Sequence, residues 1–399
     1  MNKLMSIALI MLISLGAFAQ EKAKEEKQEG YVFTDTKVIP HTSVKNQYRS
    51  GTCWSFSALS YIEAELMRKG KGEVDLSEMV AVHHTYYDKS LRYVRMHGNL
   101  NYGAGAGFSD VFHVIKKYGM TTEEAYNGLN YGTDNHVHGE MDAMLMAMVK
   151  SVISNKNRTL TPVWPNAIEA TISAYLGPIP EDFEYNGKKY TPRSFADDFM
   201  EYNADDYVFL TSYSHHPYYE EFAVEVPDNW AGDLSYNLPL NELMEVMDNA
   251  IENDMTIAWA ADVSEKGFKW SKGYAVVPET DIKNLSDLEQ GKWENKSEKE
   301  IKKELLSAEG PVQEKKITQE VRQMAYDNYQ TTDDHGMHIV GIAKDQNGNL
   351  YYKVKNSWGT DQKYDGYFYA SKAFVEYKTM DIVIHKDAIP KAIKKKLGL

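Results

Sequence analysis

Cysteine is almost absent. Cys53 stands alone among 399 residues, so no disulfide can close within the chain, and stability must come from core burial or subunit association. Positive charge is also short. Lys and Arg number 44 against 58 Asp and Glu, a formal net charge of −14, and no basic-aromatic stripe interrupts it. Such a chain repels nucleic acid and anionic lipid, so neither is an expected partner. No internal repeat is present. The longest apolar stretch, Leu4 to Leu15, is too short to cross a bilayer.

That stretch follows Lys3 and precedes Ala17-Phe18-Ala19. Together they read as a secretory signal peptide over residues 1–19, cut before Gln20. Export, to the periplasm or the medium, is therefore expected, and losing Lys3 takes the net charge to −15. Residues 20–30 are a charged, apolar-poor linker. The rest, in a chain 43% hydrophobic and 12% aromatic, can build a large core.

The lone cysteine has an informative setting. Gly51 permits a tight turn, and Ala58, Leu59, Ile62 and Leu66 share one helical face that ends at Gly70. Cys53 thus opens a helix, where free N–H groups and the macrodipole favour a thiolate. The competing use is a small buried hydrophobe. Far downstream, residues 334–341 read Asp-His-Gly-Met-His-Ile-Val-Gly, and 353–359 read Lys-Val-Lys-Asn-Ser-Trp-Gly. A thiolate nucleophile needs an imidazole to share its proton and a polar group to fix that ring's tautomer. Cys53, either His335 or His338, and Asn356 supply these parts.

The two histidines face opposite sides of a strand, so only one can meet Cys53. If Asn347-Gly348 forms a two-residue hairpin turn, residue 339 pairs with 356 and His338 lies nearer Asn356. A longer loop centred on Asp345-Gln346 sets His335 opposite Asn356 instead. Other histidines suggest no metal site. His83-His84 and His215-His216 are adjacent pairs expected to point apart, and nothing completes a ligand set around His136 and His138.

Gln47, Gly-x-Cys-Trp at 51–54, the 334–341 phrase and Asn-Ser-Trp-Gly at 356–359 resemble, in this order, the papain superfamily of cysteine peptidases. The cysteine-to-histidine spacing of 282 residues far exceeds the roughly 130–150 of ordinary members. That length, Ser50 beside Gly51, Ile115-Lys116-Lys117-Tyr118-Gly119 and Ala250-Ile251-Glu252-Asn253 are similar to the bleomycin hydrolase and aminopeptidase C branch, over about residues 31 to 390.

The resemblance implies an α+β, papain-like two-lobed fold across 31–399. A helical lobe and a β-barrel-like lobe would carry large helical insertions at about 130–240 and 280–320. It implies a thiol protease acting on peptides, with Cys53 as nucleophile, His335 (six residues before Gly341) as acid and base, and Asn356 as its orienting partner. Gln47 would serve the oxyanion, while Gly105, Ala106 and Gly107 would meet substrate backbone. No cofactor and no metal are implied. A homo-oligomer, by resemblance a hexamer, is implied. Aminopeptidase action is the favoured expectation. The alternatives are an endopeptidase with an open cleft and a transglutaminase-like acyltransferase, against which Asn356 argues. The branch anchors the substrate amino terminus with a carboxy-terminal arm, whereas only a short basic tail follows Pro390 here. Acidic residues in the insertions are the expected substitute.

Overall fold

The computed structural model describes residues 30–156, 159–286, 296–308 and 310–399. The expected signal peptide and all of the linker but Gly30 lie outside them. Strand β1 (Phe33–Val38) leads into α1 (Cys53–Arg68), α2 (Glu78–Arg95) and α3 (Phe108–Tyr118), then α4 (Gly139–Ile153) and α5 (Trp164–Leu176). The Ser77 hydroxyl caps α2 by accepting from the Val80 N–H, as its position before an apolar run suggests. Leu59, Ile62, Val111, Ile115, Leu145 and Ile172 join these helices into one apolar cluster.

The second half is built on strands. A small hairpin, β2 (Phe183–Tyr185) with β3 (Lys188–Tyr190), stands apart. Next come β4 (Tyr207–Thr211), β5 (Glu221–Ala223), β6 (Leu234–Asn237), β7 (Ile257–Ala261), β8 (Phe268–Lys269) and β9 (Tyr274–Ala275). The long strands β10 (His335–Asp345), β11 (Leu350–Lys355), β12 (Tyr367–Ser371) and β13 (Thr379–His385) follow. These pair in the order β5-β6-β4-β13-β7-β10-β11-β12-β9-β8, with β1 added on β10. The span expected to hold helical insertions therefore also contributes β4, β5 and β6 to the main sheet. No described helix is long and apolar enough to cross a membrane.

Strand β10 positions the site. Its first half pairs with β7, His335 opposite Ala261, and its second half with β1, Gly341 opposite Val38. A Cβ on Gly341 would lie 2.2 Å from the Lys37 carbonyl oxygen, so β1 can approach only a glycine there. The hairpin to β11 takes neither register considered from the sequence. Asp345 pairs with Asn349 around a three-residue turn with Gly348 at φ +83°. An irregularity between Ile339 and Gly341 then shifts the ladder, so that His338 lies opposite Lys355. Asn356 consequently meets His335 along a diagonal, a reach that cross-strand neighbours allow.

Helix α1 crosses β10 closely at Gly336. A Cβ there would sit 2.7 Å from Ser57 Oγ, 2.9 Å from Phe108 Cε1 and 3.3 Å from Trp54 Cα. A polar network ties the same elements together. Lys355 Nζ donates to Ser60 Oγ at 2.7 Å and Thr42 Oγ1 at 3.1 Å, and Thr42 donates to Glu63. Lys45 Nζ pairs with Glu63 at 3.3 Å, Asp75 at 2.5 Å and Glu78 at 2.6 Å. At the chain's end, Ile393 and Leu397 join the sheet's apolar cluster, and Lys396 pairs with Glu242 at 2.6 Å.

Gly336→Ala is expected to cost about 1–3 kcal/mol through overpacking of the α1–β10 crossing. Urea unfolding checks this, and an unchanged midpoint would contradict the close crossing.

Candidate active site

Gly51, at φ +68°, takes the left-handed conformation that turns the chain into α1. Cys53 is the first residue of that helix, and the Trp54 indole N–H donates to the Ala104 carbonyl at 2.9 Å, fastening the helix start to the glycine-rich loop. Cys53 and His335 line one cleft, with Ala106, Gly107 and Gly336. The cysteine is partly exposed.

His335 Nε2 lies 2.7 Å from Asn356 Oδ1. That oxygen also accepts the Ser357 N–H at 2.8 Å, which fixes the amide's orientation and makes His335 Nε2 the donor. The ring's proton is therefore on Nε2, and Nδ1 keeps its lone pair. Trp358 covers this bond, its ring 4.6 Å from that of His335 and tilted by 31°. Trp270 and Phe268 pack edge-on against Trp358 in turn.

His338 points elsewhere. Its Nδ1 meets Ser60 Oγ at 2.8 Å on the α1 side. Ser60 also accepts from Lys355 Nζ at 2.7 Å. Nε2 has no hydrogen-bond partner among the described residues. Burial, with Lys355 and His41 nearby, holds the ring well below the usual histidine range. His338 is a neutral member of the polar network beneath the cleft.

Gln47 is placed by pairing between its own loop and the Asn356 segment. Its N–H donates to the Ser357 carbonyl at 2.8 Å, and its Oε1 accepts from Ser357 Oγ at 2.6 Å. The side-chain amide is thereby oriented with Nε2 as its other end. Of the three loop residues expected to meet substrate backbone, Ala106 and Gly107 line the cleft, but Gly105 does not. The Asp228 carboxylate lies over it, with Oδ2 only 2.0 Å from where a Gly105 Cβ would stand.

The expected thiolate is opposed by burial. Burial pushes the Cys53 thiol up to about 11, Asp333 and Asp228 add to the rise, and the Gly336 and Trp54 N–H groups resist it. Burial likewise pushes His335 down to about 4, against its bond to Asn356. Desolvation outweighs the helix start at Cys53 and the Asn356 bond at His335, so the proton rests on sulfur.

The sequence reading missed the cleft's carboxylates. Asp228, Asp233, Asp333, Asp334 and Asp381 all line it. Two signals were available: Asp333-Asp334 immediately precedes His335, and Asp381 interrupts the otherwise apolar Met380-to-Ile384 run. The adjacent histidines also differ from expectation. His83 and His84 do turn to different partners, Glu169 and Tyr118, but His215 and His216 sit in a loop and both aim Nε2 at Glu225, at 3.0 and 2.9 Å. Gln323 Oε1 accepts the Ser214 N–H, so its Nε2 donates to His215 Nδ1 at 3.0 Å. His215 therefore carries its proton on Nε2, leaving no lone pair there for a metal ion.

The sequence profile of the papain family of cysteine proteases matches residues 33–192, and that of the peptidase C1-like family matches residues 313–398. Aminopeptidase G of Lactobacillus delbrueckii subsp. lactis is 22% identical over 392 residues, covering 88% of this chain and 83% of that protein. Aminopeptidase C of Streptococcus thermophilus is 22% identical over 417 residues, covering 92% and 85%. The crystal structure of pepw from Lactobacillus rhamnosis shares the fold, with a TM-score of 0.67 at 18% identity over 92% of this chain and 84% of that one. The two matched segments contain Cys53 at one end and His335 with Asn356 at the other, the parts that meet across the α1–β10 crossing. The chain belongs to the papain superfamily of cysteine peptidases, on its aminopeptidase C branch, and is a cysteine-type peptidase.

Proposed function

We propose that this peptidase is an aminopeptidase acting through Cys53, His335 and Asn356. The sulfur attacks the scissile carbonyl while its proton passes to the free Nδ1 of His335. The imidazolium then gives that proton to the leaving amine. Water, deprotonated by His335, hydrolyses the thioester and restores the thiol. Asn356 holds the ring in the Nε2–H tautomer, and Trp358 keeps water from that bond. The Gln47 side-chain amide and the Cys53 N–H face the developing oxyanion, each worth roughly 3 kcal/mol when well placed.

The observation that carries this reading is the hydrogen bond from His335, rather than His338, to Asn356 beside the cleft that contains Cys53. Cys53→Ala and His335→Ala are expected to lower kcat by more than about 10⁴-fold, as losing a member of such a unit does elsewhere. His338→Ala should lose stability instead, with the folded fraction still turning over peptide. An inactive, folded His338→Ala protein beside an active His335→Ala protein would contradict the assignment.

Two observations favour action at the amino terminus. Relatives of comparable length are aminopeptidases G and C by name, and Asp228 covers Gly105 where a substrate strand would otherwise run on. The test is one decapeptide offered with a free and with an acetylated amino end. Stepwise removal of residues from the free peptide alone is expected. Equal cleavage of both would make the enzyme an endopeptidase.

A further inference from the structure

The cleft holds more carboxyl groups than the proposed chemistry uses. Asp228, Asp333 and Asp381 come from three separate parts of the chain: the loop between β5 and β6, the approach to His335, and strand β13. All three line the cavity that contains Cys53. Asp228 and Asp333 lie close enough for their charge to act on its sulfur.

Asp228 is held in place. Asn101 Nδ2 donates to its Oδ1 at 3.0 Å. Its loop is fastened by Trp230, whose indole N–H donates to Asp110 at 3.1 Å, and by Asn229, which bonds Val224 and Asp233. Asp333 and Asp381 are different: neither carboxyl has a hydrogen-bond or ion-pair partner among the described residues. Asp381 does not repeat the local pattern, since Met380, Ile382, Val383 and Ile384 beside it are all buried and apolar. Asp381 and Asp333 are partly exposed and turned to the cleft, so no packing need accounts for a carboxyl at either place. Burial pushes Asp381 to about 7, and burial with Asp228, Asp381 and Asp334 nearby pushes Asp333 to about 8. Lys89, the cation near Asp228, is turned to the carbonyls of Gly103 and Gly105. The complement these groups lack is a positive charge delivered with the substrate.

We propose that Asp228, Asp333 and Asp381 form a cation subsite that takes the α-ammonium group of a peptide, with Asp228 and Asp381 as specificity-determining residues. The subsite stands where further upstream residues of a longer peptide would meet the Asp228 loop. This inference rests on the aminopeptidase reading and deepens it by naming the groups that read the free amino end. The same chemistry could instead receive a lysine or arginine side chain, and the experiment separates the two sources.

The intact enzyme, Asp228→Asn and Asp381→Asn would be assayed on four coumarin amides. The first pair is alanyl and acetyl-alanyl; the second is acetyl-lysyl-alanyl and acetyl-norleucyl-alanyl. A lost hydrogen bond to a charged group corresponds to about 10–100-fold in affinity. Each variant should therefore raise KM for the free alanyl amide by about that factor, move kcat far less, and shrink the preference for free over acetylated alanine equally. A wild-type preference for the free amine that both variants retain would overturn the subsite and leave the aminopeptidase reading standing. No wild-type preference for the amine would overturn both. A preference for lysine over norleucine that both variants abolish, without any amine preference, would reassign the subsite to a basic side chain and overturn the proposal as stated. Using two variants, one in a loop and one in a strand, keeps the test decisive if either fails to fold.

Discussion

The close crossing of α1 over β10 is the constraint from which the rest of the site follows. A side chain at Gly336 would run into Ser57 Oγ and Phe108 and crowd the Trp54 backbone, and the residues flanking that contact are the ones with chemistry. Cys53 lies one residue before Trp54 on the helix, and His335 one residue before Gly336 on the strand. Their proximity is a consequence of packing rather than of any direct bond between them. The buried network from Ser60 through Lys355 to Glu63 stabilises the same crossing from below. It depends on matched partners, since removing one member leaves a charge buried without compensation. This explains why two histidines three residues apart have different fates: one faces the cleft and one is consumed by the network.

Electrostatics around the nucleophile run against the simplest expectation. A helix start favours a thiolate, yet the sulfur is buried beside carboxylates that disfavour negative charge. Neutral thiol and neutral imidazole are the resting forms that these environments select one at a time. On the proposed mechanism, activation depends on handing the sulfur's proton to Nδ1 as the carbonyl is attacked, and the Asn356 bond keeps that atom free. The acidic cleft that makes the thiolate costly is also the part of the site suited to hold a cationic substrate end. Substrate arrival would therefore remove part of the penalty on the sulfur.

Local features were legible in the sequence where one residue type had one conformational use. Gly51 before Cys53, the apolar face of α1 and the Ser77 cap are all local. The ordered phrases around Cys53, His335 and Asn356 carried the family. The hairpin register was not legible, because the shift between Ile339 and Gly341 has no turn or proline signal at that point of the sequence. Nor was the convergence of His215 and His216, which follows from their loop conformation. The cleft carboxylates were visible as residues but not as a set. Asp333 lies 105 positions after Asp228 and Asp381 another 48 after that, and only the fold brings β13 and the β5–β6 loop to one cleft.

The claim that His335 serves Cys53 directly is tested most sharply by the pH dependence of Cys53 alkylation by iodoacetamide, followed by intact mass in the wild type and in His335→Ala. With the imidazole able to take the proton, the wild-type rate between about pH 4, above which His335 is neutral, and neutral pH should exceed that of His335→Ala and rise less steeply with pH. Without it, the rate should keep climbing toward the lone thiol's value of about 11. Superimposable profiles for the two proteins would contradict the account.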